Sequence, residues 1–127
     1  MTKPLDSIKY ISMQAQDQDV TAYTVQLAVT EQSETGTLTI LTSAGEVVRR
    51  FELSHLQKSP DGTRVTCHVS GASATLTLKR DKNQPELHVS ASVFVPIFES
   101  VYPLTPTEQE RFIDWIKTLS IGVLAST

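Results

Sequence analysis

The sequence predicts a mainly β protein, with about seven antiparallel strands in a small bent sheet or barrel closed by one C-terminal helix. Over most of the chain, apolar and polar residues alternate with the two-residue period of half-buried strands. Only residues 106–119 repeat apolar side chains with the helical period. Because 127 residues is near the usual size of one domain, we expect residues 1–127 to share one core. Residues 1–7 and 121–127 are expected to be frayed or partner-binding tails.

Alternating segments between turn signals predict the strands. The run Ser59-Pro60-Asp61-Gly62 favours a turn, so residues 55–62 are expected to form the longest loop. Residues 86–98 form the longest alternating row and are interpreted as one strand. Pro96 cannot donate to a sheet ladder, which places the end of that strand at an edge or a bulge. The expected strands lie at about 8–15, 22–30, 37–42, 47–53, 64–70, 74–79 and 86–98.

The predicted helix has a well-marked start. Thr105 can cap it, Pro106 suits its first position, and Glu108 completes a capping box with Thr105. Its apolar stripe is expected to seal the core of the sheet. That core is predicted to contain Tyr23, Val25, Leu27, Val29, Leu38, Ile40, Phe51, Val65, Cys67, Val69, Leu76, Leu78, Leu87, Val89, Val93 and Val95 beneath Phe112, Trp115, Ile116 and Leu119.

Composition and charge narrow the classes of function. The formal net charge is −3 and the pI is about 5.5, so the chain lacks the basic surface expected of a nucleic-acid-binding protein. No apolar run approaches the length of a membrane span, which is roughly 18 residues or more. The single cysteine, Cys67, and the absence of a signal-like N-terminus favour a reducing, cytoplasmic setting.

Candidate catalytic and metal-ligating residues are few. His68 and His88 occupy polar positions of predicted strands and can meet across a sheet face, but neither has an acidic residue or a cysteine at ligand spacing. The alternative is that both are solvated strand histidines, and His55 in its loop has the same interpretation. Cys67 falls in an apolar phase, as a buried small hydrophobe would. We therefore expect no catalytic residue, metal or cofactor, and no enzymatic activity.

Two short basic segments stand out from the acidic average. They are Arg49-Arg50 and Lys79-Arg80. Such segments are usually solvated faces, and the alternative is that they contact an acidic partner or a phosphate. Arg49 is also the odd member of an otherwise apolar row on its strand.

Residues 110–119 resemble the closing helix of a pleckstrin-homology domain, in which a Trp followed by aliphatic residues at the next and fourth positions packs on a barrel. Here Trp115 is followed by Ile116 and Leu119 at those positions. The resemblance implies a seven-stranded barrel beneath the helix. Members that bind phosphoinositides carry basic residues around the first hairpin loop, where this chain has Asp17 and Asp19.

A second comparison is with PilZ, a small barrel that is similar in architecture and binds a cyclic dinucleotide. PilZ uses a pair of spaced arginines and an Asp-x-Ser-x-x-Gly turn. In this chain Arg49 and Arg50 are adjacent, and His68-Val69-Ser70-Gly71 lacks both the acidic residue and the spacing.

A binding surface is expected where residues 86–98 reach an edge of the sheet, because edge strands offer unpaired backbone groups. Phe94, Phe98 and Tyr102 are the predicted anchors for a protein partner or for self-association, together with the tail after the helix. The alternative is that these residues cover the sheet beneath the helix. The sequence thus favours a non-catalytic protein-binding or assembly module. The alternative function is a barrel that binds a small molecule, such as a nucleotide or lipid headgroup.

Overall fold

The computed structural model describes residues 8–17, 20–81 and 84–124. Within them the chain is mainly antiparallel β with one C-terminal helix, so the predicted fold class is confirmed. Asp19 and the outer parts of both expected tails, residues 1–7 and 125–127, lie outside the described residues. The elements are β1 (Ile8–Asp17), β2 (Val20–Thr30), β3 (Thr35–Thr42), β4 (Val47–Lys58), β5 (Arg64–Val69), β6 (Ala72–Asp81), β7 (Gln84–Ser92), β8 (Pro96–Pro103), α1 (Pro106–Thr118) and β9 (Gly122–Val123).

The strands β1 to β8 pair in chain order, each antiparallel to the next, and β9 pairs in parallel with the end of β4. The sheet is bent but not closed, since the described residues show no backbone pairing between its edge strands β1 and β8. Tyr23 of β2 and Tyr102 of β8 meet edge to face across this gap, with ring centroids 5.7 Å apart. The eight-stranded open sheet therefore differs from the seven-stranded barrel that the resemblance implied.

The extra strand arises because residues 86–98 are a hairpin and not one strand. β7 ends at Ser92 and β8 begins at Pro96, with Ala91 opposite Phe98 in the ladder. Both flanks of β7 are paired, so the edge belongs to β8. Val93 and Val95 lie in the turn and are exposed, which corrects their assignment to the core. Apolar residues continue at odd-numbered positions through the turn, as Val93, Val95 and Ile97, so the two-residue period did not reveal the turn.

The prediction of a loop at residues 55–62 was wrong for residues 55–58, because β4 continues to Lys58. His55 adopts a left-handed backbone conformation, with φ of 55°, and forms an irregularity inside β4. Before it the strand pairs with β3, and from Ser54 onward it pairs with β5. The irregularity lets one strand serve both halves of the sheet, as bulges do when they bend a strand.

Side chains of alternate strand positions and the buried face of α1 form one apolar cluster. Phe112, Ile116 and Leu119 are buried as predicted, whereas Trp115 is only partly buried. Tyr23 is 39 % exposed, and Phe51 and Val69 lie partly buried at the margin of the cluster. The predicted strand residues that are confirmed as buried are Val25, Leu27, Val29, Leu38, Ile40, Val65, Cys67, Leu76, Leu78, Leu87 and Val89.

The helix closes against the free edge of β1. Its N-cap is Thr105, whose hydroxyl accepts the Glu108 amide at 3.2 Å, as predicted. The Glu108 carboxylate accepts the Gln14 amide of β1 at 2.7 Å, and Arg111 donates to the Ser12 carbonyl at 3.2 Å. Two backbone groups of an edge strand are thus satisfied by helix side chains, which protects that edge from further pairing.

The segment after the helix is held by the turn between β2 and β3. Glu31 accepts the Ser120 amide at 2.5 Å, and Glu34 accepts the Gly122 amide at 2.8 Å. Leu124 donates its amide to the Lys58 carbonyl at 2.8 Å. The tail up to Leu124 is therefore paired within its own chain.

Candidate functional site

Because consecutive strands are antiparallel, the turns at residues 43–46, 70–71 and 93–95 lie towards one end of the sheet. We call it the distal end. At the opposite end, Gly62 in the turn after β4 lies against Ile113 and Lys117 of α1. The helix therefore packs against the opposite end of the described structure.

Phe94 is the most prominent residue of the distal end. Its side chain is fully exposed, at 105 % relative accessibility, and its φ is 60°. The turn that carries it is closed by a hydrogen bond from the Val93 amide to the Val95 carbonyl at 3.2 Å. Exposed apolar side chains of the same hairpin are Val93, Val95 and Ile97.

Beside Phe94 lies an open pocket of about 400 Å³. The rings of Phe51 and Phe98 stack at 4.9 Å between centroids and 5° between planes, and the Arg49 guanidinium carbon lies 5.3 Å from the Phe98 centroid. Arg49 thus stands in an apolar row because it covers an aromatic ring, an arrangement that a cation–π attraction favours. The other lining residues are Val69, Ser70, Ala72, Ala91, Val93 and Ile97.

The predicted anchor residues fall in three different environments. Phe94 is exposed, Phe98 forms a wall of the pocket, and Tyr102 is buried at 7 % exposure. Tyr102 packs in the core beside Tyr23, which matches the alternative that it covers the sheet. The distal end therefore brings Phe94 and Phe98 together without Tyr102.

The predicted anion contacts do not form one site. Arg49 lies over the pocket, while Arg50 on the other face of β4 is 3.5 Å from Glu52. Lys79 and Arg80 are exposed at the far end of β6, opposite Glu86 and Pro85 of β7. Of the four, only Arg49 adjoins the pocket.

The histidines also pair differently from the prediction. His68 lies against His55, with ring centroids 4.8 Å apart, and not against His88. His88 stands between two carboxylates, 3.2 Å from Glu86 and 3.7 Å from Glu99. Across residues 8–17, 20–81 and 84–124, no three His, Cys, Asp or Glu side chains converge as metal ligands would. Nothing in the sequence indicated the contact with His55, because the irregularity in β4 creates it.

Burial raises the pKa of the Cys67 thiol to about 12. The thiolate is the reactive form, so this side chain is unreactive near neutral pH. It behaves as the small core residue that its apolar phase predicted.

In the part of the chain that the structure describes, no helix is long and apolar enough to cross a bilayer. Comparisons with known proteins found no family model, no curated protein and no solved structure that matches this chain. The distal end, where an exposed ring adjoins an aromatic pocket, is the candidate functional site.

Proposed function

We propose that this protein is a non-catalytic protein-binding or assembly module that docks its partner on the distal end. Phe94 is the observation that supports the proposal. A ring of this size costs free energy when water surrounds it, and a left-handed backbone at a bulky residue adds strain. Among the described residues no contact offsets the first cost, whereas burial against a partner recovers it.

The surroundings of Phe94 fit an interface. Binding energy concentrates in aromatic and arginine side chains at the centre of a contact. The distal end supplies both types, with Phe94 and Phe98 beside Arg49. Exposed valines around them give an apolar rim, and the partner is expected to offer an aromatic or aliphatic side chain to the pocket.

Selection from a random peptide library displayed on phage tests the proposal, because such peptides bind preferentially where a surface concentrates binding energy. We expect selected peptides to be rich in aromatic residues and to lose binding to a Phe94→Ser, Phe98→Ser double variant. Val101→Ser is the matched control, since Val101 is an exposed valine of the same strand at its other end. Peptides that bind the double variant and the native protein equally well would contradict the proposal.

A second candidate function is the binding of a small molecule. The pocket favours it, because a volume of about 400 Å³ with stacked rings and one guanidinium suits a flat anionic ligand. Native mass spectrometry of the purified protein separates the two functions. A retained small molecule that is lost in Arg49→Met would favour the ligand, and an unliganded mass would favour the protein partner.

The proposal includes a reducing, cytoplasmic setting. Its support is that Cys67, the single cysteine of the sequence, is buried in the core as a thiol. Fractionation of cells that express the protein, followed by immunodetection, checks the compartment.

A further inference from the structure

We propose that the partner is a second copy of this chain, and that Phe94 of each copy inserts into the Arg49–Phe51–Phe98 pocket of the other. This inference rests on the proposed function and names the partner. Its basis is that one small surface carries both an exposed ring and a pocket walled by rings.

The pocket fits a phenyl ring in size and in chemistry. An apolar cavity of about 150 Å³ is sufficient to bind benzene. The pocket at the distal end measures about 400 Å³ and is open to solvent, so its volume is sufficient for a phenylalanine side chain. Stacked or edge-on contacts with Phe51 and Phe98 would add to the burial, since aromatic pairs attract beyond their area.

Phe94 does not fill the pocket of its own copy. At 105 % relative accessibility, the ring is not shielded by any part of the chain that the structure describes. Val93 and Ile97 of the same hairpin line the pocket, whereas Phe94 is not among its lining residues. A ring held outside a neighbouring pocket is available to the pocket of another molecule.

Two-fold symmetry accommodates the arrangement. In such an interface the same patch serves both copies, so residue i contacts residue j and residue j contacts residue i. Phe94 and the pocket are adjacent, and one rotation therefore places each ring opposite the other copy's pocket. The two insertions form together, which makes the contact self-limiting at a dimer.

The charges of this surface and the area that it can bury are compatible with a reversible dimer. The start of β4 and the turn before it carry both signs, with Arg49 and Arg50 beside Glu46 and Glu52, so two copies need not oppose like charges. A buried aromatic side chain covers about 150–250 Å², and the exposed valines and Ile97 add to it. The total is below the roughly 800 Å² per partner of a standard interface, and so we expect association at micromolar to millimolar concentration.

Sedimentation velocity over that concentration range, combined with a complementation test, decides the inference. Phe94→Ser removes the ring but keeps the pocket, while Ala72→Leu fills the pocket but keeps the ring. Each variant alone should remain monomeric. An equimolar mixture retains one of the two insertions, since the ring of the second variant can enter the pocket of the first, so its heterodimer should be weaker than the native dimer. Native mass spectrometry identifies the heterodimer by its mass, and Val101→Ser should dimerise as the native protein does.

Circular dichroism and thermal melting confirm that each variant folds, and Val69→Met replaces Ala72→Leu if the latter does not. A native protein that stays monomeric throughout, or a single variant that dimerises as tightly as the native protein, would overturn the inference. If displayed peptides still bind the distal end in either case, self-pairing alone fails and the proposed function stands. If they bind elsewhere, the proposed function fails with it.

Discussion

The Lys58 ammonium lies 2.5 Å from the carbonyl oxygen of Leu119, and 3.4 Å from those of Ile116 and Lys117. The last residue of β4 thus donates to carbonyls at the C-terminus of α1, where the helix dipole favours a cation; the Ile116 carbonyl also accepts the Leu119 amide at 3.0 Å.

Lys58→Met should therefore destabilise the protein, because the methionine fills a similar volume but cannot donate. Hydrogen bonds to a charged group are worth about 1.5–3 kcal/mol, and we expect a loss of about 1–3 kcal/mol in the free energy of unfolding. Urea denaturation followed by circular dichroism measures it. Lys79→Met, at an exposed position of β6, is the control and should change stability little. Equal midpoints for the two variants would contradict the assignment.

The indole nitrogen of Trp115 is buried without a hydrogen-bond partner in the described structure. Trp115→Phe removes this unsatisfied donor and keeps most of the apolar contact, so its stability should equal or exceed that of the native protein. Phe112→Ala, at a fully buried position, should cost about 3–5 kcal/mol. Chemical denaturation measures the free energy of unfolding of both variants. A larger loss of that free energy in Trp115→Phe than in Phe112→Ala would contradict the prediction.

The turn at residues 59–63 predicts a specific pH dependence. Hydrogen bonds from Ser59 and Thr63 lower the pKa of Asp61 from 3.8 to about 2. A carboxyl whose pKa is lower in the folded state stabilises the protein above its unfolded pKa, and that contribution disappears as the pH falls through the folded value. The stability difference between native protein and Asp61→Asn should thus be constant above about pH 5 and shrink between about pH 4 and pH 2. Thermal melts across this range measure it, and a difference that does not change with pH would refute the prediction.

Phe94→Gly should stabilise the monomer while it removes the proposed contact. Glycine adopts a positive φ without the steric cost that a bulky residue has there. We expect a gain of about 0.5–2 kcal/mol in the unfolding free energy, measured at a concentration where the native protein is monomeric. Val95→Gly, in the same turn, should show no such gain. Loss of stability in Phe94→Gly would indicate that the ring has a role in folding.

The contact between α1 and the edge of β1 can be tested by amide hydrogen exchange. Glu108→Ala removes the acceptor of the Gln14 amide, so this amide should exchange faster, whereas the Leu27 amide in the interior of the sheet should not change. Glu110→Ala, at an exposed position of the same helix, is the control. Unchanged exchange at Gln14 in Glu108→Ala would show that the carboxylate does not protect the edge.

The sequence by itself determined the elements whose signals are local. The cap at Thr105, the first-turn Pro106 and the spacing of Phe112 and Ile116 predicted the helix, because each acts within a few residues of itself. The alternation of β2 and β3 likewise predicted strands with one buried face. These patterns fix which side chains turn inward, and hence the fold class.

Only the tertiary structure decided how those elements meet. The turn at residues 93–95 has no glycine or asparagine to mark it, and the buried positions change from odd numbers in β7 to even numbers in β8 only because the chain reverses there. In the pocket, Arg49 and Phe51 of β4 contact Phe98 of β8 because the sheet is bent. The spacing of residues along the chain does not specify that bend. The Lys58 cap similarly depends on where β4 ends relative to α1. Long-range contacts of this kind depend on how all strands bend together, which is why the residues of the distal end were recognisable singly but not as one surface.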